Sequence, residues 1–176
     1  MRIISGLHKG RRITAPKKLP VRPTTDRSKE GLFNLLQHRI EISETEVLDL
    51  FAGTGNISYE FASRGAKSLT AVDQNRNCIQ FIQKTAQELQ IEINTHQKES
   101  TQFLEQNKES FHLIFADPPY NFDQDAYEKI IFLSLPKLRK EGFLILEHFK
   151  QMDFSSSKNF AFSRGYGSTV FSFFTP

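Results

Sequence analysis

The chain of 176 residues and 20.3 kDa is the size of one ordinary domain. Hydrophobic residues make up 38% and charged residues 24% of it, a balance that excludes a disordered chain. No uninterrupted apolar run exceeds four residues, so we expect no membrane-spanning helix. The single cysteine, Cys78, excludes an internal disulfide and any metal site built from several thiolates. We therefore expect no metal and a reducing, cytoplasmic environment.

The net charge is a modest +3, but it is unevenly distributed along the chain. Residues 1–40 hold ten Lys and Arg and two acidic residues, a net +8, whereas residues 41–176 carry −5. A basic segment on a mildly acidic body favours a polyanionic partner, although a solvated basic face without a partner would have the same composition. We predict two parts, a basic extension at 1–40 and a domain at 41–176.

The basic extension is predicted to form a short β-hairpin followed by a helix. Residues 2–4 and 11–14 alternate like two short strands around residues 6–10. Prolines at 16, 20 and 23 then exclude regular structure until residues 24–26, whose side chains suit a helix N-terminus. The helix is expected to reach about Arg39 and to bury one face, formed by Leu32, Phe33, Leu36 and Ile40.

From residue 46 onward, predicted strands and helices alternate. The strands are expected at 47–51, 68–73, 91–96, 111–117 and 142–147, and the helices at 56–64, 75–89, 100–107 and 125–135. Several strands are apolar on both faces, which is typical of a parallel sheet covered by helices on each side. Residues 159–163 and 168–174 predict a C-terminal antiparallel hairpin. The expected fold is α/β, a Rossmann-like, doubly wound and mostly parallel seven-stranded sheet closed by that hairpin.

A glycine-rich turn, Gly53-Thr54-Gly55, follows the first of these strands and opens a helix. Two glycines let the backbone turn tightly and approach a ligand, and the helix N-terminus offers free N–H groups. Eighteen residues after Gly55, Asp73 ends the second strand, where a carboxylate can accept hydrogen bonds from ribose hydroxyls. This arrangement indicates a ligand that contains a nucleoside. The alternative is that the glycines only form a tight turn and bind no ligand.

Two residues near the turn distinguish between nucleoside ligands. A dinucleotide site requires Gly or Ala at the third glycine position, where Ser58 stands. Asp49 would place a negative charge beside a bound pyrophosphate, but it suits a ligand that carries an ammonium group. S-adenosylmethionine has an adenosine, an amine and no phosphate, so the sequence favours it over a nicotinamide cofactor.

The segment Asp117-Pro118-Pro119-Tyr120 follows another apolar strand and is predicted to lie where ligands bind. The Asp117 carboxylate and the Pro118 carbonyl could accept both hydrogens of an exocyclic amine on a nucleobase. Tyr120 could stack on that base once it has left its helix or loop. The segment would thus position an amine for in-line methyl transfer. A turn with a core tyrosine is the structural alternative.

Together these motifs resemble class I S-adenosylmethionine-dependent methyltransferases that modify amino groups. More narrowly, the chain resembles the bacterial 16S ribosomal RNA guanine-N2 methyltransferase family (RsmD type). The family-specific segments are Arg2-Ile3-Ile4-Ser5-Gly6, Gly10-Arg11-Arg12 and Arg22-Pro23-Thr24-Thr25-Asp26-Arg27 with the residues that follow to Asn34. The resemblance extends from residue 2 to about residue 150.

The resemblance implies roles for individual residues. It implies cofactor contacts from Asp49, Phe51, Gly53, Gly55, Asp73, Glu99 and Asp117. It implies catalysis by Asp117, Pro118, Pro119 and Tyr120, and RNA contacts from Arg2, Arg11, Arg12, Arg22, Thr24 and Arg27. Glu99 and Ser100 depart from the family's usual pair at this position, Asn or Asp followed by Ala.

The leading hypothesis is methyl transfer to the exocyclic N2 of a guanine in small-subunit ribosomal RNA, by a monomer acting on an assembled or partly assembled small subunit. Two alternatives stay open, a DNA adenine-N6 methyltransferase and a non-catalytic RNA-binding assembly factor on the same fold. A nicotinamide-dependent oxidoreductase fits least well, because Ser58 and Asp49 both oppose it. No membrane partner is expected.

Overall fold

Seven strands form one sheet within the part of the chain that this computed structural model describes, residues 1–16, 19 and 24–176. Their order across the sheet is β3-β2-β1-β4-β5-β7-β6. Strands β1 to β5 are parallel to one another, whereas β7 is antiparallel to both β5 and β6. The strands are β1 (Glu46–Leu50), β2 (Ser68–Asp73), β3 (Asn94–Gln97), β4 (Phe111–Ala116), β5 (Leu138–Phe149), β6 (Phe160–Tyr166) and β7 (Thr169–Phe174). This is the Rossmann-like sheet with a closing C-terminal hairpin that the sequence predicts.

Helices connect the parallel strands, and side-chain caps mark where most of them begin. They are α1 (Asp26–Leu36), α2 (Asn56–Ser63), α3 (Arg76–Leu89), α4 (Ser100–Gln106) and α5 (Gln124–Ser134). Thr25, Asn75, Glu99 and Asp123 each accept a hydrogen bond from a backbone N–H of the first turn that follows. Among the described residues, no helix is long and apolar enough to cross a membrane.

The two faces of the sheet are covered by different helices, since successive strand side chains point to opposite faces. In β1, Val47 packs into a cluster with apolar residues of α1 and α2, such as Leu36 and Phe61. Its neighbour Leu48 packs on the other face, with residues of α4 and α5. A third cluster joins α2 and α3 to Ile3 and Ile13 of the N-terminal segment. The side-chain parity of each strand residue therefore decides which helices it meets.

The predicted N-terminal hairpin forms, but it is short. Around an antiparallel bridge between Arg2 and Arg12, the Ile3 N–H donates to the Arg11 carbonyl and the Ile13 N–H donates to the Met1 carbonyl, both at 3.0 Å. The backbone N–H groups of Ile4 and Ser5 donate to the Glu60 carboxylate at 2.8 and 3.0 Å, and the N–H of Leu7 donates to the Ser63 carbonyl at 2.7 Å. Because α2 takes these donors, the strand ladder cannot extend beyond Ile3.

Three other predicted boundaries are corrected by local hydrogen bonding. Helix α1 ends at Leu36 rather than near Arg39, because residues 37–40 turn back on its last carbonyls. Strand β3 starts at Asn94 rather than at 91, because the Ile91 N–H still donates to the Ala86 carbonyl of α3. Strand β5 is longer than 142–147, since it runs past an irregularity in its pairing with β4 near Phe111.

Candidate active site

A cleft of ≈ 810 Å³ opens at the sheet edge where β1, β2 and β4 end. This is the edge where open parallel sheets bind ligands. Seven of the residues singled out in the sequence line the cleft: Phe51, Asp73, Glu99, Asp117, Pro118, Pro119 and Tyr120. Leu19 and Phe122 add apolar surface to its wall. The seven residues singled out in the sequence lie up to 69 positions apart in the chain, and the fold brings them to one cleft.

The glycine-rich turn between β1 and α2 adopts the left-handed backbone that its glycines favour. Gly53 and Gly55 have φ values of 55° and 78°, and Phe51 at the end of β1 has 59°. A side chain at position 55 would place its Cβ 2.8 Å from the Tyr59 ring. The turn therefore requires glycine at position 55 for both conformation and space.

Asp73 ties this turn to the start of α3. Its Oδ2 accepts a hydrogen bond from the Gly53 N–H at 2.8 Å, and its Oδ1 accepts one from the Asn75 N–H at 2.7 Å. A carboxylate oxygen has two lone-pair sites, so each oxygen can still accept one hydrogen bond from a ligand. Asp73 thus shapes the cleft and presents acceptors to it.

Asp49 lies beneath the cleft rather than among the residues that line it. Only 2% of it is exposed, and its Oδ2 accepts hydrogen bonds from the Ser58 N–H at 3.1 Å and the Ser58 hydroxyl at 2.5 Å. Burial raises the pKa of Asp49 to about 7, with Ser58 opposing the shift and the Asp73 charge adding to it. In the sequence Ser58 counts only as a departure from a dinucleotide motif, whereas in the fold it is the partner of Asp49.

The Asp117-Pro118-Pro119-Tyr120 segment leaves β4 and forms the cleft wall. Asp117 is half-buried, Pro118 is buried, and Tyr120 is half exposed with its ring 4.2 Å from that of Phe149. Burial and the nearby charges of Glu147 and Asp49 hold the pKa of Asp117 well above its usual range. Tyr120 therefore presents an aromatic surface beside a carboxyl group that lies among other acids.

Glu147 on β5 is a buried acid that the sequence analysis missed. It is 6% exposed, and its Oε2 accepts a hydrogen bond from the Thr24 hydroxyl at 2.9 Å. Burial raises its pKa to about 7, against the opposing effect of the Thr24 hydrogen bond and with a further rise from Asp49. The available signal was a single acid at the end of an apolar run, Phe143 to Leu146, but only the strand order places that run beside β4.

Glu99 occupies the cleft wall and also caps α4. Its Oε2 accepts hydrogen bonds from the Thr101 hydroxyl at 2.5 Å and the Gln102 N–H at 2.8 Å. Burial alone would raise the pKa of Glu99, but these hydrogen bonds outweigh it and lower the pKa. The Oε2 atom of Glu99 is therefore occupied by hydrogen bonds to the first turn of α4.

The residues predicted to contact RNA fall into two environments. Arg2, Arg11, Arg12 and Arg27 are exposed on the N-terminal segment and on α1. Thr24, in contrast, is 9% exposed and bonds to Glu147. Arg22 lies outside the described residues. The structure therefore separates Thr24 from the exposed arginines and places it in the interior, beside Glu147.

A buried polar network, unexpected from the sequence, anchors the N-terminal segment. Lys29 is fully buried on α1, and its Nζ donates to the Arg2 carbonyl at 2.7 Å and to Asn56 Oδ1 at 2.9 Å. It also lies 3.4 Å from Glu60 Oε2. Burial lowers the pKa of Lys29, and the Glu60 carboxylate opposes this shift. In the sequence, Lys29 is one of ten basic residues of the basic extension, and no local pattern indicates that it is buried.

The fold and the cleft define the class. A mostly parallel sheet, a glycine-rich turn after β1, an acid at the end of β2 and an Asp-Pro-Pro-Tyr segment after β4 together form a Rossmann-like methyltransferase fold. The chain belongs to the family described as "Conserved hypothetical protein 95", which matches residues 1–175, and the predicted RsmD-type resemblance is confirmed.

Two curated relatives carry the same name, ribosomal RNA small subunit methyltransferase D. The Haemophilus influenzae protein is 36% identical over 128 residues, which cover 70% of this chain and 65% of that protein, just under two thirds of its length. The protein of Buchnera aphidicola from Acyrthosiphon pisum is 32% identical over 161 residues, covering 89% of this chain and 82% of that protein. A solved structure of a hypothetical protein from Thermus thermophilus has a TM-score of 0.88 at 23% identity, over 100% of this chain and 99% of that one. That likeness confirms the fold.

Proposed function

We propose that the protein transfers a methyl group from S-adenosylmethionine to the exocyclic N2 of a guanine in small-subunit ribosomal RNA. The observation that carries this proposal is that Asp73, which accepts a hydrogen bond from the glycine-rich turn, lines one cleft together with the Asp117-Pro118-Pro119-Tyr120 segment. The names of the curated relatives support ribosomal RNA as the acceptor class. The choice of guanine N2 rests on the amine-binding chemistry of the segment and on the family resemblance.

The cleft residues fit S-adenosylmethionine, which supplies an electrophilic methyl group on a sulfonium sulfur when bound. Asp73 would accept hydrogen bonds from the ribose hydroxyls through its remaining lone pairs. Phe51 and Phe122, in edge contact at 5.7 Å, would offer apolar surface to the adenine. The acids at the cleft complement a cationic ligand and oppose a pyrophosphate, so the fit favours this cofactor over a dinucleotide.

The residues of the cleft would hold the target amine and remove its extra proton. The Asp117 carboxylate and the Pro118 carbonyl would accept the two N2 hydrogens while the Tyr120 ring stacks on the guanine. The nitrogen–carbon bond forms as the carbon–sulfur bond breaks, with that electron pair going to sulfur. The methylated nitrogen then carries one proton too many, and the Asp117 carboxylate accepts it.

RNA binding is assigned to the exposed arginines of the N-terminal segment, Arg2, Arg11 and Arg12, with Arg27 of α1. These residues belong to the basic extension, which we propose is the RNA-contacting part, next to the methyltransferase domain. We further propose that the protein is a cytoplasmic monomer and that it acts on an assembled or partly assembled small subunit.

The first experiment compares acceptors of a labelled methyl group. Purified protein and S-adenosylmethionine labelled in the methyl group are incubated with small subunits lacking the modification, free small-subunit RNA, duplex DNA or a protein extract. We expect label in RNA, and N2-methylguanosine on nucleoside analysis. Label in DNA as N6-methyladenine would instead support the adenine methyltransferase. Intact cofactor binding with no label in any acceptor would support the non-catalytic assembly factor.

Substitution of Asp117 tests the amine-binding segment. We expect Asp117→Ala to lower the rate of transfer at least about 100-fold, because the amine loses its charged acceptor, while the dissociation constant of the cofactor changes little. The matched control is Asp125→Ala, which removes an exposed carboxylate from the first turn of α5. Full activity of Asp117→Ala would remove the segment from the mechanism.

A further inference from the structure

Three carboxyl groups converge on one face of the sheet because of strand register. Asp49 of β1 pairs with Phe115 of β4, which pairs in turn with Ile145 of β5. Asp117 and Glu147 each lie two positions beyond those partners, so they share the face of Asp49. That face is covered by α1 and α2. Glu147 is thus placed beside Asp117, one strand farther from Asp49.

The surroundings of Glu147 supply hydrogen bonds and negative charge. The Thr24 hydroxyl donates to its Oε2 at 2.9 Å from the residue pair that precedes α1. Asp49 faces it from β1 and Asp117 from β4, and Tyr127 on α5 senses the charges of both Asp117 and Glu147. In the described parts of the chain, none of the three carboxyl groups forms an ion pair with Lys, Arg or His.

Asp117 and Glu147 each lie one position beyond a paired residue of two neighbouring strands, Ala116 and Leu146, and Glu147 is buried. Two carboxyl groups in such adjacent places cannot both ionise without a cost. One proton shared by the pair removes the cost, and then the two groups titrate as a unit. The high pKa of Asp117 and the pKa of about 7 for Glu147 agree with such sharing. The Thr24 hydroxyl forms a stronger hydrogen bond with a carboxylate than with a neutral carboxyl group, so this bond favours the ionised form of Glu147.

We infer that Glu147 is a positioning residue that shares a proton with Asp117 and so sets the pH at which Asp117 can accept hydrogens from the target amine. This inference rests on the proposed methyl transfer and deepens it. Before transfer the pair holds one proton and one negative charge. It takes the second proton from the methylated nitrogen, becomes neutral, and returns one proton to water. Thr24 links this pair to the start of α1.

The direct test is a pH titration of the free protein, in which ¹³C NMR of labelled Asp and Glu side chains gives the midpoint of each carboxyl group. In Glu147→Gln, which keeps the size and an acceptor for Thr24, we expect the midpoint of Asp117 to fall by about one pH unit, tenfold in proton affinity. In Asp117→Asn the midpoint of Glu147 should fall by the same amount, because the coupling is reciprocal. Glu141→Gln, an exposed acid on the same strand, should shift neither midpoint.

Thr24 provides a second, independent variant if Glu147→Gln fails to fold. Thr24→Val removes the donor hydroxyl at nearly constant shape, so the midpoint of Glu147 should rise, whereas Thr24→Ser should leave it in place. Unchanged midpoints of Asp117 in folded Glu147→Gln, or of Glu147 in Thr24→Val, would overturn the inference.

Kinetics separate this inference from the proposed function. If the protein methylates RNA, the acid limb of the kcat profile should move to lower pH in Glu147→Gln, since Asp117 then ionises more readily, while the cofactor dissociation constant stays the same. A lower plateau with an unmoved acid limb would indicate a structural role and overturn the inference. If no RNA is methylated, the NMR midpoints still decide whether the proton is shared, and only the proposed function fails.

Discussion

Four acidic residues near the carboxyl ends of strands have the same carboxyl chemistry, but their different surroundings give them different hydrogen-bond partners and pKa values. Asp73 holds two backbone N–H groups and still faces the cleft. Asp49 lies below it, bonded to Ser58, with a pKa raised by burial to about 7. Asp117 and Glu147 lie close enough that each feels the charge of the other acids. Residue type alone does not distinguish these four acids, whereas burial and partners do.

At this scale we predict that Asp73→Ala weakens cofactor binding at least about tenfold, because it removes acceptors for the ribose and releases the Gly53 N–H. Isothermal titration with S-adenosylmethionine measures the change, and thermal unfolding measures the associated loss of stability. Asp73→Asn, which keeps one acceptor oxygen, should lie between the wild type and Asp73→Ala. Equal affinity of all three proteins would mean that this acid does not contact the ligand.

At the scale of elements, the N-terminal segment and α1 are joined to α2 by polar contacts in the interior. Glu60 of α2 receives the N–H groups of Ile4 and Ser5, and Arg64 donates to it at 2.9 Å. Lys29 of α1 completes the cluster. The division of the chain at residue 40 stays a prediction, but these contacts tie the two parts together through three elements.

We predict that Lys29→Met destabilises the protein by about 3 kcal/mol, since it leaves the Arg2 carbonyl and Asn56 Oδ1 without their ammonium donor and removes one buried positive charge beside Glu60. Urea unfolding followed by circular dichroism gives the free energy. The matched control is Lys84→Met, which breaks an exposed pair with Glu88 on α3 and should cost less than about 0.5 kcal/mol. A similar loss in the free energy of unfolding for the two variants would show that the buried Lys29 contributes no more to stability than an exposed ion pair does.

At the scale of the whole molecule, the excess of positive charge and most of the cleft belong to different parts of the chain. The basic extension carries +8 and the remainder carries −5, and three acids of the remainder, Asp73, Glu99 and Asp117, line the cleft. For the proposed RNA substrate, this difference in charge favours contact through the extension.

Neutralising Arg11 and Arg12 tests this division of charge. We expect Arg11→Gln with Arg12→Gln to weaken binding of small-subunit RNA and to reduce the slope of log K against log salt by about 0.7 to 0.9 for each phosphate that is no longer neutralised. Filter binding at several salt concentrations measures both. Lys84→Gln with Lys108→Gln removes equal charge from exposed positions of the body and should leave the slope nearly unchanged. An unchanged slope in the arginine variant would make the extension a solvated face.

The sequence was enough to predict features that depend on local pattern. Strand and helix alternation, the turn at Gly53 and Gly55, and the segment at Asp117 all follow from hydrophobic periodicity, backbone conformation and proline chemistry over a few residues. The order of the motifs along the chain also predicts that Asp73 and Asp117 lie at one edge of the sheet, because both follow parallel strands. Only small boundary errors arose there, because element ends depend on tertiary hydrogen bonds.

Only the tertiary structure could decide what long-range register controls. Glu147 lies beside Asp117 only because β5 pairs with β4. Ser58 bonds to Asp49 because α2 lies against β1. Thr24 and Lys29 are buried against residues that are distant in the sequence. These contacts join residues 9 to 123 positions apart. Local propensity carries no information about such pairs, because desolvation and hydrogen bonding act on neighbours in space rather than on neighbours along the chain.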